Sequence, residues 1–277
     1  MASIAIVWVL GAILSVQGGA AFAKQLFPLI GAEATTFLRV WISAIFLLVI
    51  WRPWKEKLTR KVWGVVLVYG ICLGLMNLLF YQSLARIPLG IAVALEFTGP
   101  LGVAILSSRR GLDFVWALLA AVGIFLILPT SDLSHGIDLI GAAFALGAGV
   151  CWGFYIIFAQ KVGRHISGGQ ATALGLSIAA LTILPFVWRP VTVANFSPTV
   201  LVFGFFVALL SSALPFSLEM KALRHIPSKT FGVMMSLEPA VAALVGLLFL
   251  NENLTLIQYG AIACVMLASA GSARFSR

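Results

Sequence analysis

Residues 86–101 read Arg-Ile-Pro-Leu-Gly-Ile-Ala-Val-Ala-Leu-Glu-Phe-Thr-Gly-Pro-Leu. A single carboxylate, Glu96, lies inside this otherwise apolar run, and Gly99-Pro100 follows it closely. Proline has no backbone N–H and interrupts a helix, and an ionisable side chain inside a bilayer is costly and marks an ion or substrate pathway. The stretch therefore predicts a broken membrane helix with a functional carboxylate near its middle.

The composition of the whole chain predicts that its solvent is lipid. Of its 277 residues, 61% are hydrophobic and 10% are charged, and the mean hydropathy is +1.09. Soluble domains carry about 25% charged and about 45–50% apolar residues, so a soluble fold of this length could not bury so much apolar surface. We therefore expect an all-α polytopic membrane protein.

Ten apolar runs are long enough to cross the hydrocarbon core, which takes about 20 helical residues. The connections between them are short and leave no room for a sizeable aqueous catalytic domain. The predicted spans are residues 3–22, 31–51, 62–81, 88–107, 113–130, 138–160, 170–188, 199–219, 228–250 and 255–273.

The basic residues indicate an orientation. If both termini are cytoplasmic, 14 of the 18 Lys and Arg residues lie on the cytoplasmic side of the membrane. The four exceptions are Lys24, Arg39, Arg86 and Arg189. Cytoplasmic loops are enriched in Lys and Arg, so this orientation is expected. It also explains the net charge of +9 without a nucleic-acid partner. The three cysteines and three histidines are scattered, so no metal site or cofactor is expected.

The two halves of the chain resemble each other at a fixed offset. An offset of 139 residues pairs residues 87–88 with 226–227, both Ile-Pro, and Pro100 with Pro239. Each half holds five spans, so the second copy would enter the membrane from the opposite side, as in many secondary transporters. Chance similarity between Leu-, Ala- and Gly-rich helices is the alternative. The expected repeats are residues 1–130 and 138–277.

Several blocks of the sequence are distinctive. They include Ser-Val-Gln-Gly-Gly-Ala-Ala-Phe-Ala-Lys-Gln-Leu-Phe-Pro-Leu (15–29), Pro-Leu-Gly-Ile-Ala-Val-Ala-Leu-Glu-Phe-Thr-Gly-Pro-Leu (88–101), Ala-Leu-Pro-Phe-Ser-Leu-Glu-Met (213–220) and Met-Ser-Leu-Glu-Pro-Ala (235–240). These blocks resemble the bacterial inner-membrane threonine/homoserine exporters of the EamA branch of the drug/metabolite transporter superfamily. The resemblance implies ten spans in two inverted five-helix repeats, a central cavity, amino-acid efflux and use of the proton-motive force.

Three predicted spans hold a charge deep inside: Arg39 in the second, Glu96 in the fourth and Glu238 in the ninth. Arg39 and Glu96 lie about eight or nine residues from the outer ends of their spans, which at about 1.5 Å per residue puts both about 12–14 Å deep. Glu96 is a candidate to take a proton or a substrate ammonium, and Arg39 to hold Glu96 or a substrate carboxylate. A permanent structural ion pair is the alternative.

The helix breaks at Gly99, Pro100 and Pro239 would free backbone carbonyls for a cavity or ligand, or would simply kink the packing. Glu219 is either an interfacial charge or a cytoplasmic gate. Neutral polar side chains within the spans need partners in lipid, so they either line the cavity or join helices. These neutral candidates are Gln17, Asn77, Tyr81, Trp152 and Tyr155.

The sequence therefore favours a proton-coupled exporter of small amino acids that works by alternating access around a midplane site. Its expected partners are the amino acid, protons and the lipid bilayer, without nucleic acid or an obligate protein partner. The expected location is a bacterial inner membrane. The alternative is a facilitator or exporter of another metabolite, such as an aromatic amino acid or a cationic drug. An intramembrane enzyme is disfavoured, because the predicted spans hold no paired aspartates, His-Glu-x-x-His motif or Ser/Lys dyad.

Overall fold

The computed structural model describes residues 2–55, 58–107, 112–127, 138–187, 197–223, 225 and 228–275. All regular structure in these ranges is helical. The α-helices are α1 (Ala2–Trp51), α2 (Arg60–Leu84), α3 (Leu89–Glu96), α4 (Thr98–Ser107), α5 (Leu112–Ile127), α6 (Leu139–Val162), α7 (Gly168–Val187), α8 (Pro198–Ala208), α9 (Leu214–Leu223), α10 (Ser228–Met235), α11 (Glu238–Leu250) and α12 (Leu256–Phe275). A 3-10 turn covers Pro53–Lys55, and a π-helical segment, Leu209–Ala213, joins α8 to α9.

The structure confirms an all-α membrane protein. Within the described ranges, five stretches are long and apolar enough to cross a membrane, and four shorter apolar helices accompany them. Large apolar side chains such as Phe114 and Leu256 remain exposed on the outside of the bundle, as lipid contact requires. Ten crossings remain the prediction from the sequence. The long stretches are Ile4–Trp51, Arg60–Leu84, Leu139–Val162, Gly168–Val187 and Val233–Leu250.

Helix α1 covers the first two predicted spans. Residues 23–30, which we expected to form a connection, are helical. The two helical halves of α1 meet at Gly31, whose φ of 79° and ψ of 165° depart from helical geometry. Glycine adopts a positive φ without the steric cost of a Cβ atom, so the change in backbone geometry falls on this one residue.

The fourth and ninth predicted spans are each divided into two helices. Helix α3 ends at Glu96, and α10 ends at Met235, which is 139 residues later. At each break a hydroxyl bonds the carbonyl three residues back, Thr98 to Leu95 and Ser236 to Val233, both at 2.6 Å. The prolines that follow lie in the first turns of α4 and α11, where a missing N–H removes no helical hydrogen bond.

The break after α3 lets two helices touch through their backbones. A Cβ atom on Gly99 would lie 1.8 Å from the carbonyl oxygen of Gly149 in α6, and a Cβ atom on Gly149 would lie 2.7 Å from the carbonyl oxygen of Glu96. Neither neighbour is a side chain that can rotate away. Close packing of α4 on α6 therefore requires glycine at both positions.

A pair of alanine variants tests this contact. Gly99→Ala should lower the apparent unfolding temperature of the detergent-solubilised protein by several degrees, since overpacking typically costs about 1–3 kcal/mol. Gly102→Ala, in the same helix, is the control because a Cβ atom there meets nothing within 4 Å. Equal melting temperatures for the two variants would contradict the proposed backbone contact.

Candidate functional site

A cavity of about 480 Å³ lies where the divided helices meet. All of the predicted pathway residues except Tyr81 line this cavity. Tyr81 contacts Arg39, which is one of the lining residues. Buried charged side chains beside a cavity inside an apolar bundle are typical of a substrate or ion pathway. The polar residues that line it are Gln17, Arg39, Asn77, Glu96, Trp152, Tyr155, Ser211, Ser212, Glu219, Glu238, Ser269 and Ser272.

Arg39 supplies the positive charge of this cavity wall. Its Nη1 donates a hydrogen bond to the Tyr81 hydroxyl at 2.9 Å, and its guanidinium carbon lies 5.2 Å from the centroid of the same ring. Its Nε is buried and meets no hydrogen-bond acceptor in the described part of the chain. No described carboxylate lies within 4.0 Å of the guanidinium, so Arg39 and Glu96 share the cavity without forming an ion pair.

Glu96 and Glu238 are the most buried carboxylates of the cavity, with exposures of 7% and 6%. Glu96 is the last residue of α3, and Glu238 is the first residue of α11. Among the described residues, no hydrogen-bond donor or cation within ion-pair distance reaches either carboxylate. A buried carboxylate without a partner is stable only when it carries a proton or meets a cation, and both can be supplied through the cavity.

Aromatic rings form much of the remaining wall. The rings of Phe97 and Trp152 meet edge to face with centroids 5.1 Å apart, and those of Tyr69 and Tyr155 stack at 5.2 Å. Asn77 donates from Nδ2 to the Leu73 carbonyl of its own helix at 2.7 Å. These contacts hold polar and aromatic side chains in fixed positions around the charged groups.

Four other predicted residues, Gln17 and the three at the helix breaks, have different surroundings. Gln17 is 2% exposed, and its Oε1 has no donor within the described residues. Of the helix-break residues, Pro100 lines the cavity, whereas Gly99 packs on α6 and Pro239 is buried outside the lining. The two breaks therefore contribute differently to the cavity wall.

The π-helical segment Leu209–Ala213 was not predicted from the sequence. There the N–H of Leu214 bonds the carbonyl of Leu209, and the next residue, Pro215, has no N–H. The Leu210 carbonyl is thus left without a helical donor, and the Ser15 hydroxyl of α1 donates to it at 2.6 Å. A proline after Ser-Ser in an apolar run is the signal that we used at Pro100 and Pro239, and it could have revealed this break.

Comparison with known proteins gives consistent results. The sequence profile of the EamA-like transporter family matches residues 3–128 and 139–274. Threonine/homoserine exporter RhtA of Escherichia coli (strain K12) is 48% identical over 268 residues, which cover 96% of this chain and 90% of that protein. The protein of the same name from Salmonella typhimurium (strain LT2) is 47% identical over 94% of this chain and 88% of its own.

More distant proteins also align along most of the chain. Uncharacterized transporter YwfM of Bacillus subtilis (strain 168) is 24% identical over 81% of this chain and 78% of its own. A crystal structure with 17% sequence identity superimposes with a TM-score of 0.64 and covers 97% of this chain and 96% of that chain. At this identity the superposition shows a shared fold alone.

The hydrogen bond between α1 and the π-helical segment gives a stability prediction. Ser15→Ala should destabilise the detergent-solubilised protein by about 1–2 kcal/mol, because it leaves the Leu210 carbonyl unpaired. Ser43→Ala is the control, since the Ser43 hydroxyl reaches the Ala208 carbonyl only at 3.4 Å. Thermal unfolding of both variants measures the difference. A Ser15→Ala protein as stable as the wild type would show that the carbonyl has another donor.

Proposed function

The chain belongs to the EamA-like transporter family, and we propose that it exports small amino acids of the threonine and homoserine kind across a bacterial inner membrane. A member of a transporter family is a transporter and not an enzyme. The names of the bacterial exporters that share nearly half of its residues support the substrate class. The two separate matches to the family profile support two five-helix repeats, residues 1–130 and 138–277.

One observation supports the substrate assignment: a guanidinium and carboxylates that form no ion pair within the described residues line the same buried cavity. A free amino acid has a carboxylate and an ammonium group at one end, and each needs an opposite charge when it leaves water. We assign the substrate carboxylate to Arg39, whose Nε lacks an acceptor, and the substrate ammonium to Glu96. The small polar side chain would then face the neutral part of the wall.

The extent of the cavity supports loading from the cytoplasm. Glu219 of α9 and Phe231, at the start of α10, line the cavity near one end of the bundle. The chain between and around them carries Lys221, Arg224 and Lys229, and such clusters are typical of cytoplasmic loops. We infer that the cavity faces the cytoplasm in this conformation and that both termini lie on the cytoplasmic side.

We further propose that export is coupled to protons. A proton entering from the acidic outside would neutralise Glu96, weaken its attraction for the ammonium and release the substrate. The carboxylate would lose the proton to the cytoplasm after the cavity returns to face that side. Glu238 and Glu219 are additional proton carriers in this scheme. Alternating access around the cavity connects the two half-reactions.

Glu96→Gln tests the carrier assignment. We expect efflux of labelled threonine from proteoliposomes, driven by a pH gradient, to fall at least tenfold, because glutamine cannot exchange a proton or pair with the ammonium. Glu33→Gln is the control, since Glu33 bonds Gln82 and does not line the cavity. Gradient-driven efflux at the wild-type rate in Glu96→Gln would exclude Glu96 as the proton carrier.

A second substrate class is favoured by the aromatic part of the wall. Phe80 and Phe231 line the cavity together with the Phe97–Trp152 pair, and aromatic faces accept both apolar rings and cations. An aromatic amino acid or a cationic drug would use these groups. Stronger competition against labelled threonine by phenylalanine than by homoserine would favour this second candidate.

A further inference from the structure

A compact polar cluster lies away from the cavity and joins the two halves of the chain. The Lys24 ammonium is 2.6 Å from Oε1 of Glu252 and donates to the Ile87 carbonyl at 3.0 Å. The other oxygen of Glu252 accepts from the Leu89 N–H at 2.7 Å. We call these four residues the latch. It connects α1, the turn before α3 and the turn between α11 and α12.

The latch provides the hydrogen-bond acceptor that the start of α3 lacks. The residue before this helix is Pro88, whose side chain cannot accept a hydrogen bond, so the first N–H of α3 has no local partner. Glu252 caps it from the other half of the chain. The turn that carries Glu252 is fixed by Asn251, which ends α11 in the left-handed conformation, and by a 3.1 Å bond from the Glu252 N–H to the Gly246 carbonyl.

Next to the latch, α3 and α11 are tightly packed and close the bundle. From Leu89 to Leu95 no side chain is more than 2% exposed. A Cβ atom on Gly90 would lie 2.7 Å from the Cα atom of Ala243, so α3 and α11 meet backbone to backbone. No substrate could pass between these two helices unless they separate.

The cavity extends toward the opposite end. Its lining includes Phe231 in the first turn of α10 and Ser272 near the end of α12. The latch lies where α11 ends and α12 begins. The cavity therefore extends toward one end of the bundle, while the latch and the packed α3–α11 contact close the other end.

We propose that the Lys24–Glu252 pair is the exit gate of the transporter, which opens for substrate to leave on the latch side. The inference rests on the proposed export function, which requires the closed end to open in each cycle. Opening breaks the ion pair and removes the cap of α3, so α3 is free to move away from α11. Because α3 ends at Glu96, the same movement displaces the carboxylate that we assign to the substrate ammonium. The gate and the substrate site are thus connected through one helix of eight residues.

Side-specific labelling tests the gate without any substrate. A reporter cysteine replaces Met76, which lines the cavity, in a protein whose Cys72, Cys151 and Cys264 are alanine. A membrane-impermeant maleimide is applied from each face of the membrane, in spheroplasts and in inside-out vesicles. In the protein with the wild-type Lys24–Glu252 pair, the reporter cysteine should be labelled slowly from the face of the membrane on which the latch lies, here called the latch face. Glu252→Gln should label about tenfold faster from that face, which corresponds to about 1.4 kcal/mol.

Two further variants separate gating from simple damage. The charge-swapped protein, Lys24→Glu with Glu252→Lys, should return labelling toward the wild-type rate. Asp138→Asn breaks the more exposed Arg86–Asp138 pair while keeping a residue that caps α6, and it should label as the wild type does. If Glu252→Gln fails to fold, as judged by gel filtration, Lys24→Met breaks the same pair from the other side and replaces it in the test.

Labelling of the folded single variants at the wild-type rate from both faces would overturn the gate. So would a charge-swapped protein that labels as fast as the single variants, because pairing would then not be what closes this end. Threonine flux is measured on the same proteins. Absence of flux in the wild type would refute the proposed export function. The labelling rates measure closure of the latch face independently of transport.

Discussion

A buried carboxylate that meets no cation or donor among the described residues is the constraint on which the rest of this structure depends. In lipid, Glu96 and Glu238 are tolerated only where a proton or a cation can reach them, so a water-accessible cavity must lie beside both. Each carboxylate stands at a helix break, and the two breaks lie 139 residues apart in the chain. Charge and broken backbone occur together because non-helical backbone at membrane depth also needs a cavity or protein contacts to satisfy it.

The breaks in turn determine how the helices pack. The end of α3 at Glu96 allows Gly99 to contact Gly149 through the backbone, and the π-helical segment brings a free carbonyl to the Ser15 hydroxyl of α1. The same irregular segments supply much of the cavity wall. Stability and the proposed substrate binding therefore depend on the same backbone features, since the contact of Gly99 with Gly149 lies just after Glu96 in the chain.

Much of this architecture could be predicted from the sequence, and there are physical reasons why the rest could not. Hydropathy and the prolines revealed the apolar runs and two of the breaks, and counting residues along each span placed Arg39 and Glu96 at one level. Depth does not give rotation about the helix axis, so the bond from Arg39 to Tyr81 was not foreseen. The Ser15–Leu210 bond and the Lys24–Glu252 pair join residues 195 and 228 positions apart, which local patterns do not reveal.

The central claim is that Arg39 holds the substrate carboxylate in a cavity where Glu96 meets the ammonium. Calorimetric binding of threonine and of threonine methyl ester to wild-type and Arg39→Gln protein tests it most directly, because the ester keeps the ammonium but has no carboxylate. We expect Arg39→Gln to weaken threonine binding about tenfold or more and to leave ester binding nearly unchanged. Equal losses for both ligands, or no loss for threonine, would contradict it.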